Sequence, residues 1–228
     1  MSGAVRMGIL GGTLDPIHLG HIEAALAARA ALALDQVVIL PSRVPPHRST
    51  RPHASGYHRF AMASLAVNGI DGLVTSDLEL CASAPSYTAD TLERLHRTGL
   101  SALQIFFITG ADAFAEIETW SRYPHVLSLA HFVVVSRPGV AAAEMRTRLP
   151  GLTARMVSAA RSDEGSGDPA IFLLDARTPD ISSTEIRRRI ATGEPLTDLV
   201  APAVESHILR HGLYSLQPVI PSADHLHG

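Results

Sequence analysis

The chain has 228 residues, 46% of them hydrophobic and 18% charged, with a net charge of −3. That suits one large α/β domain and gives no general attraction to nucleic acid polymers or anionic membranes. All 19 basic residues are arginine, which excludes the lysine-dependent chemistries of P-loops, pyridoxal Schiff bases and protein kinases. No apolar run approaches the roughly 18 residues of a membrane span, and residues 1–6 lack a basic start leading into an apolar stretch, so a cytoplasmic location without a membrane partner is expected.

In chain order, residues 5–10 read as a strand ended by Gly11-Gly12, residues 18–34 as an Ala/Leu-rich helix, and residues 36–40 as a second strand stopped by Pro41. A Pro/Arg/His-rich loop, 42–55, precedes a helix over 57–67, a strand over 73–80, a helix over 88–97 and a strongly apolar strand over 104–109. The single cysteine, Cys81, excludes an internal disulfide and a cysteine-based zinc cluster, and reads as a small buried or half-buried apolar side chain. Residues 131–135 form another strand closed by Arg137-Pro138-Gly139; a polar loop spans 158–169, a short strand 171–174, and helices 182–191 and 202–211 follow. The alternation of strands and helices predicts a Rossmann-like α/β fold, a parallel sheet flanked by helices with a small C-terminal helical part. Residues 1–215 read as one domain and 216–228 as a loosely held tail.

Two segments carry chemistry. In the first, a strand runs into Gly11-Gly12-Thr13-Leu14-Asp15-Pro16-Ile17-His18-Leu19-Gly20-His21, placing bare backbone at the carboxyl end of a strand, where open α/β sheets bind ligands. Asp15 and Pro16 suit the entry of the next helix. His18 and His21, three residues apart, then share its first turn beside an anion-binding N-terminus. In the second, Ser182 and Glu185 have capping-box spacing and Ile181 with Ile186 that of a hydrophobic staple. The free N–H groups of that helix, with the Thr184 hydroxyl and Arg187, make a second anion site. Arg188 and Arg189 read as a solvated face.

The first segment resembles the signature of the nucleotidylyltransferase superfamily, with Leu14 where phenylalanine is usual, and residues 181–187 resemble its ISSTxxR motif. Val44-Pro45-Pro46-His47-Arg48, Ser86-Tyr87-Thr88, Thr109-Gly110-Ala111-Asp112, Thr119-Trp120, Ser136-Arg137-Pro138-Gly139 and the closing Gly212-Leu213-Tyr214 are similar to segments of bacterial nicotinate-nucleotide adenylyltransferases. The resemblance implies AMP transfer from ATP to nicotinate mononucleotide in NAD biosynthesis, with Mg²⁺ held mainly through the ATP phosphates and no protein metal site. It implies catalytic roles for His18, His21 and Arg187, and an ATP site of Gly11, Gly12, Thr13, His18, His21, Gly110, Asp112, Ser183, Thr184 and Arg187. On the acceptor side it implies His47, Tyr87, Thr88, Trp120 and Arg137, with Trp120 on the pyridine ring and Thr88 at the nicotinate carboxylate. ATP and the mononucleotide are the expected partners, nucleic acid is not, and a homo-oligomer is left open. The alternatives are nicotinamide mononucleotide or another small phosphate acceptor, and a nucleotide sensor without turnover.

Overall fold

The computed structural model describes residues 5–43, 52–82, 86–159, 167–176 and 178–215. His47, most of the loop expected over 42–55, the middle of the polar loop at 158–169 and the expected tail at 216–228 therefore lie outside the described residues.

Strands β1 (Met7–Gly12), β2 (Gln36–Pro41), β3 (Leu73–Thr75), β4 (Ile105–Gly110), β5 (His131–Val135), β6 (Met156–Ser158) and β7 (Ile171–Leu174) form one parallel sheet in the order β3-β2-β1-β4-β5-β7-β6. The chain winds outward from β1 through β2 to β3, then crosses back to place β4 on the other side of β1. The carboxyl ends of β1 and β4 consequently flank the switch point where α/β sheets leave a crevice.

Side chains alternate across the strands, so the sheet has two cores. Leu10, Ile39, Ile108, Val133 and Phe172 face a layer containing α1 (Leu19–Ala31), α2 (Gly56–Val67), α6 (Ser183–Thr192) and α7 (Pro202–Arg210). Ile9, Leu40, Phe107, Phe132 and Leu173 face the opposite layer, with α3 (Thr88–His96), the short α4 (Ala111–Phe114) and α5 (Met145–Arg148). Among the described residues no helix is long and apolar enough to cross a membrane.

Four details depart from the sequence reading. Helix α1 stops at Ala31 because Ala33 turns left-handed (φ 46°) and the Leu34 N–H closes back on the Arg29 carbonyl at 3.0 Å, a Schellman closure made without glycine. Strand β3 ends at Thr75, not residue 80, because Ser76 Oγ accepts from the Leu78 N–H at 3.2 Å and turns the chain. Cys81, in that turn, is exposed, its Sγ donating to Asp77 Oδ2 at 3.2 Å. The edge strand β6 leaves no signal in the sequence, since three residues carry no measurable alternation.

Phe132 is fully buried and touches the rings of Phe107, Phe114 and Trp120. Phe132→Ala should therefore lower unfolding free energy by about 3–5 kcal/mol; urea titration checks this, and a loss under about 1 kcal/mol would contradict the packing described.

Candidate active site

The first segment is built around its helix start. His18, not Asp15 or Pro16, is the N-cap of α1, with extended backbone (φ −145°, ψ 169°), and its N–H donates to Nδ1 of His21 at 3.2 Å. The two rings meet at 3.7 Å between centroids, tilted by 31°. Gly20 makes room for this pair, since a Cβ there would lie 3.1 Å from His18 Nδ1. Burial, with the charge of Arg137 nearby, pushes the His18 imidazole down to about 3. Burial first, then His18 and Arg137, hold His21 well below the ordinary histidine range. Both rings are thus neutral at physiological pH, and because Nδ1 of His21 accepts a hydrogen bond, its proton sits on Nε2, ready to donate.

Asp15 is buried with its carboxylate occupied: Oδ2 accepts from the His53 N–H at 2.7 Å, and Oδ1 from the Ala54 N–H at 3.1 Å and the Tyr214 hydroxyl at 2.7 Å. The second segment docks directly on this turn. Ser183 Oγ donates to the Pro16 carbonyl at 2.9 Å, Arg187 Nη1 to the Asp15 carbonyl at 2.7 Å and Arg187 Nη2 to Thr184 Oγ1 at 3.3 Å. Ser182 caps α6 by accepting from the Glu185 N–H at 3.1 Å. The reciprocal half of the capping box is replaced, because the Glu185 carboxylate pairs with Arg188 and Arg189. That ion-pair cluster holds Glu185 at about 2 and confirms these two arginines as surface residues.

A cavity of about 350 Å³ opens at the switch point, lined by Gly11, Gly12, Thr13, Asp15, His21, Ser183 and Arg187 on one side and by Tyr87, Thr88, Phe107, Trp120 and Ser121 on the other. It adjoins a smaller one of about 190 Å³ containing Gly20, Gly110, Asp112 and Arg137, the two sharing Gly11, His21, Thr109 and Ala113. Trp120 is half-buried, edge-on to Phe107 at 6.1 Å. Thr88 is the first residue of α3, whose N-cap, Tyr87, supplies no side-chain cap bond, and both residues line the cavity. Among the described residues no group of three acidic, histidine or cysteine side chains can hold a metal ion.

The chain matches the family model described as cytidylyltransferase-like over residues 9–189. A protein of Desulfatibacillum aliphaticivorans named "Probable nicotinate-nucleotide adenylyltransferase" is 40% identical over 223 residues, covering 92% of this chain and all of that protein. One of the same name from Pseudomonas fluorescens is 39% identical over 210 residues, covering 92% of this chain and 97% of its own. This chain belongs to the nicotinate-nucleotide adenylyltransferase family. Its fold is that of a Plasmodium falciparum nicotinic acid mononucleotide adenylyltransferase complexed with NaAD, at a TM-score of 0.69 and 17% identity over 92% of this chain and 97% of that one.

The structure brings together nearly all the residues read from the sequence of this adenylyltransferase family member. Arg137 lines the smaller cavity, with His21 and Gly11. Its turn, closed by paired bonds with Val140 of 2.9 and 3.0 Å, follows β5 and puts it beside Gly110 and Asp112, not with the acceptor-side residues Tyr87, Thr88 and Trp120. His18 lies buried behind His21 and lines neither cavity. Arg59, Glu79 and Tyr214 were missed as parts of the site; only the buried charge of an arginine or glutamate inside an apolar run could have signalled the first two.

Neutral His18 fixes a pH dependence. The folded state keeps it unprotonated to about pH 3 while the unfolded chain takes up a proton below 6.5, so its contribution is complete above pH 6.5 and is lost as pH falls toward 3. By pH 5 that loss reaches about 2 kcal/mol. Urea unfolding at pH 7 and pH 5 should show a shallower acid loss in His18→Gln than in wild type, and equal losses would contradict a neutral buried ring.

Proposed function

We propose that this protein transfers the AMP part of ATP to nicotinate mononucleotide, giving nicotinate adenine dinucleotide and pyrophosphate. The observation that carries the reading is a single crevice with two unlike walls. One holds anion-binding backbone, His21, Ser183 and Arg187; the other holds Trp120 and the uncapped start of α3. Relatives at about 40% identity over 92% of the chain carry the name of this reaction.

In the reaction, an oxygen of the mononucleotide phosphate bonds to the α-phosphorus of ATP as the bond from that phosphorus to the bridging oxygen breaks. The electron pair leaves with pyrophosphate. The nucleophile is already an anion, so no proton has to be abstracted, and catalysis rests on alignment and on charge stabilisation. The turn after β1 and the Nε2–H of His21 meet the α-phosphate region; Ser183, Thr184 and Arg187 meet the β and γ phosphates. His18, buried against His21 at 3.7 Å between ring centroids, acts by holding that ring in place. Gly110 and Asp112 suit the ribose, and Arg137, on their side, belongs with the adenosine half.

Mg²⁺ fits as an ion carried by the nucleotide. The Asp15 oxygens are taken up by His53, Ala54 and Tyr214, so this chain offers the ion no carboxylate cage there. When bound, it would neutralise charge on the leaving pyrophosphate.

The α3 N-terminus supports nicotinate over nicotinamide, because first-turn N–H groups and the helix dipole favour a carboxylate over a neutral amide. Pyrophosphate release with ATP, Mg²⁺ and, in parallel, nicotinate mononucleotide, nicotinamide mononucleotide and phosphopantetheine tests the reading. Nicotinate mononucleotide should turn over fastest; preference for another acceptor, or no release with any, would overturn it.

Two variants test the walls separately. His21→Ala should lower turnover by about 10²-fold or more with the fold intact, and near-normal turnover would remove His21 from the phosphate site. Trp120→Ala should raise the acceptor KM about tenfold, the scale of one lost stacking contact, with little change in the ATP KM; equal shifts in both would contradict ring stacking.

A further inference from the structure

Among the described residues Arg59, in α2, is the largest fully buried charged side chain, at 1% exposure, and its guanidinium meets no carboxylate of the described residues at hydrogen-bond distance. It donates instead to four backbone carbonyls: Nη1 to Thr13 at 2.7 Å and Ser42 at 2.6 Å, Nε to Ala54 at 3.2 Å and Nη2 to Arg43 at 3.2 Å. Those carbonyls belong to three separate segments: the turn after β1, the chain just past β2 and the approach to α2.

The bond to Thr13 sets the direction of the turn. The Gly12 carbonyl is held by the Ser42 N–H at 2.8 Å, and the next carbonyl, Thr13, by Arg59. In a trans peptide the N–H points opposite to the C=O, so both anchored carbonyls turn the N–H groups of Thr13 and Leu14 the other way. Thr13 and Leu14 line the cavity. Leu14 pays for this orientation with left-handed backbone (φ 49°), a conformation that costs an L-residue about 1–2 kcal/mol and persists only where surrounding bonds hold it.

We propose that Arg59 is a positioning residue for ATP: from the core it orients the Thr13 and Leu14 amides toward the nucleotide phosphates without touching substrate. The assignment rests on the nucleotide reading of the crevice given above. Lysine cannot replace it, because one ammonium lacks the planar fork that spans carbonyls from three segments.

The test compares wild type with Arg59→Lys and Arg59→Met. ATP affinity is measured by calorimetry without acceptor, nicotinate mononucleotide affinity by the fluorescence of Trp120, the only tryptophan, and folding by circular dichroism and urea titration. Both variants should bind ATP about tenfold or more weakly and lose turnover to a similar degree, while mononucleotide affinity stays within about twofold, since a displaced binding group acts only on the ligand it aligned. Unchanged ATP affinity in a folded variant overturns the proposal, as does equal weakening of both ligands, which marks general loosening. Failure of both variants to fold overturns it too, making Arg59 a stability residue. The ATP arm needs no acceptor, so a wild type that binds ATP but ignores nicotinate mononucleotide would fault the acceptor reading alone.

Discussion

The structure depends on one buried acid. Asp15 sits between the turn after β1 and the start of α6, and its carboxylate and carbonyl oxygens are all bonded. Its carboxylate gathers the 53–54 backbone and the Tyr214 hydroxyl, and its carbonyl receives Arg187 from α6. Burial and the neighbouring Asp15 charge raise the Tyr214 hydroxyl far above its ordinary range, so it remains a donor. Residues nearly two hundred positions apart are therefore pinned to one turn. A carboxylate so placed is costly unless fully bonded, and this one is.

The electrostatics of the crevice follow from the same economy of charge. With no lysine in the chain, the phosphate side is assembled from backbone N–H groups, neutral imidazoles and arginine. Neutral rings suit phosphate binding here, since a protonated pair 3.7 Å apart between centroids would repel, whereas a neutral His21 bonded through Nδ1 presents a fixed Nε2–H donor. Such a donor needs no reorganisation as charge develops on the phosphate, the property that makes preorganised sites effective.

Much of this was legible in the sequence because it is local. The His18/His21 spacing, the Ser182 cap and the start of α3 at Thr88 each rest on residues a few positions apart and are found as read, whereas Gly11 and Gly12, read as ending the first strand, are its last two residues. What escaped reading is long-range or irregular. Arg59 binds carbonyls up to 46 residues away, and a carbonyl leaves no mark on a sequence. Tyr214 stands out in the sequence only as part of a closing triplet, since nothing in residues 212–214 names Asp15 as its partner. The neighbours of Arg137 are not legible in the sequence, because the direction of its turn is set by pairing with Val140. Cys81 follows an apolar run that looks like strand but bends at Ser76, and so it ends at the surface.

The central claim is that the two ends of the chain together hold a triphosphate so that the α-phosphorus is the atom attacked. It is tested most directly by following the label from ATP radiolabelled at the α-phosphate, incubated with the protein, Mg²⁺ and nicotinate mononucleotide. The label should appear in the dinucleotide and the released pyrophosphate should be unlabelled; label recovered in ADP, or in free AMP without dinucleotide, would contradict the account.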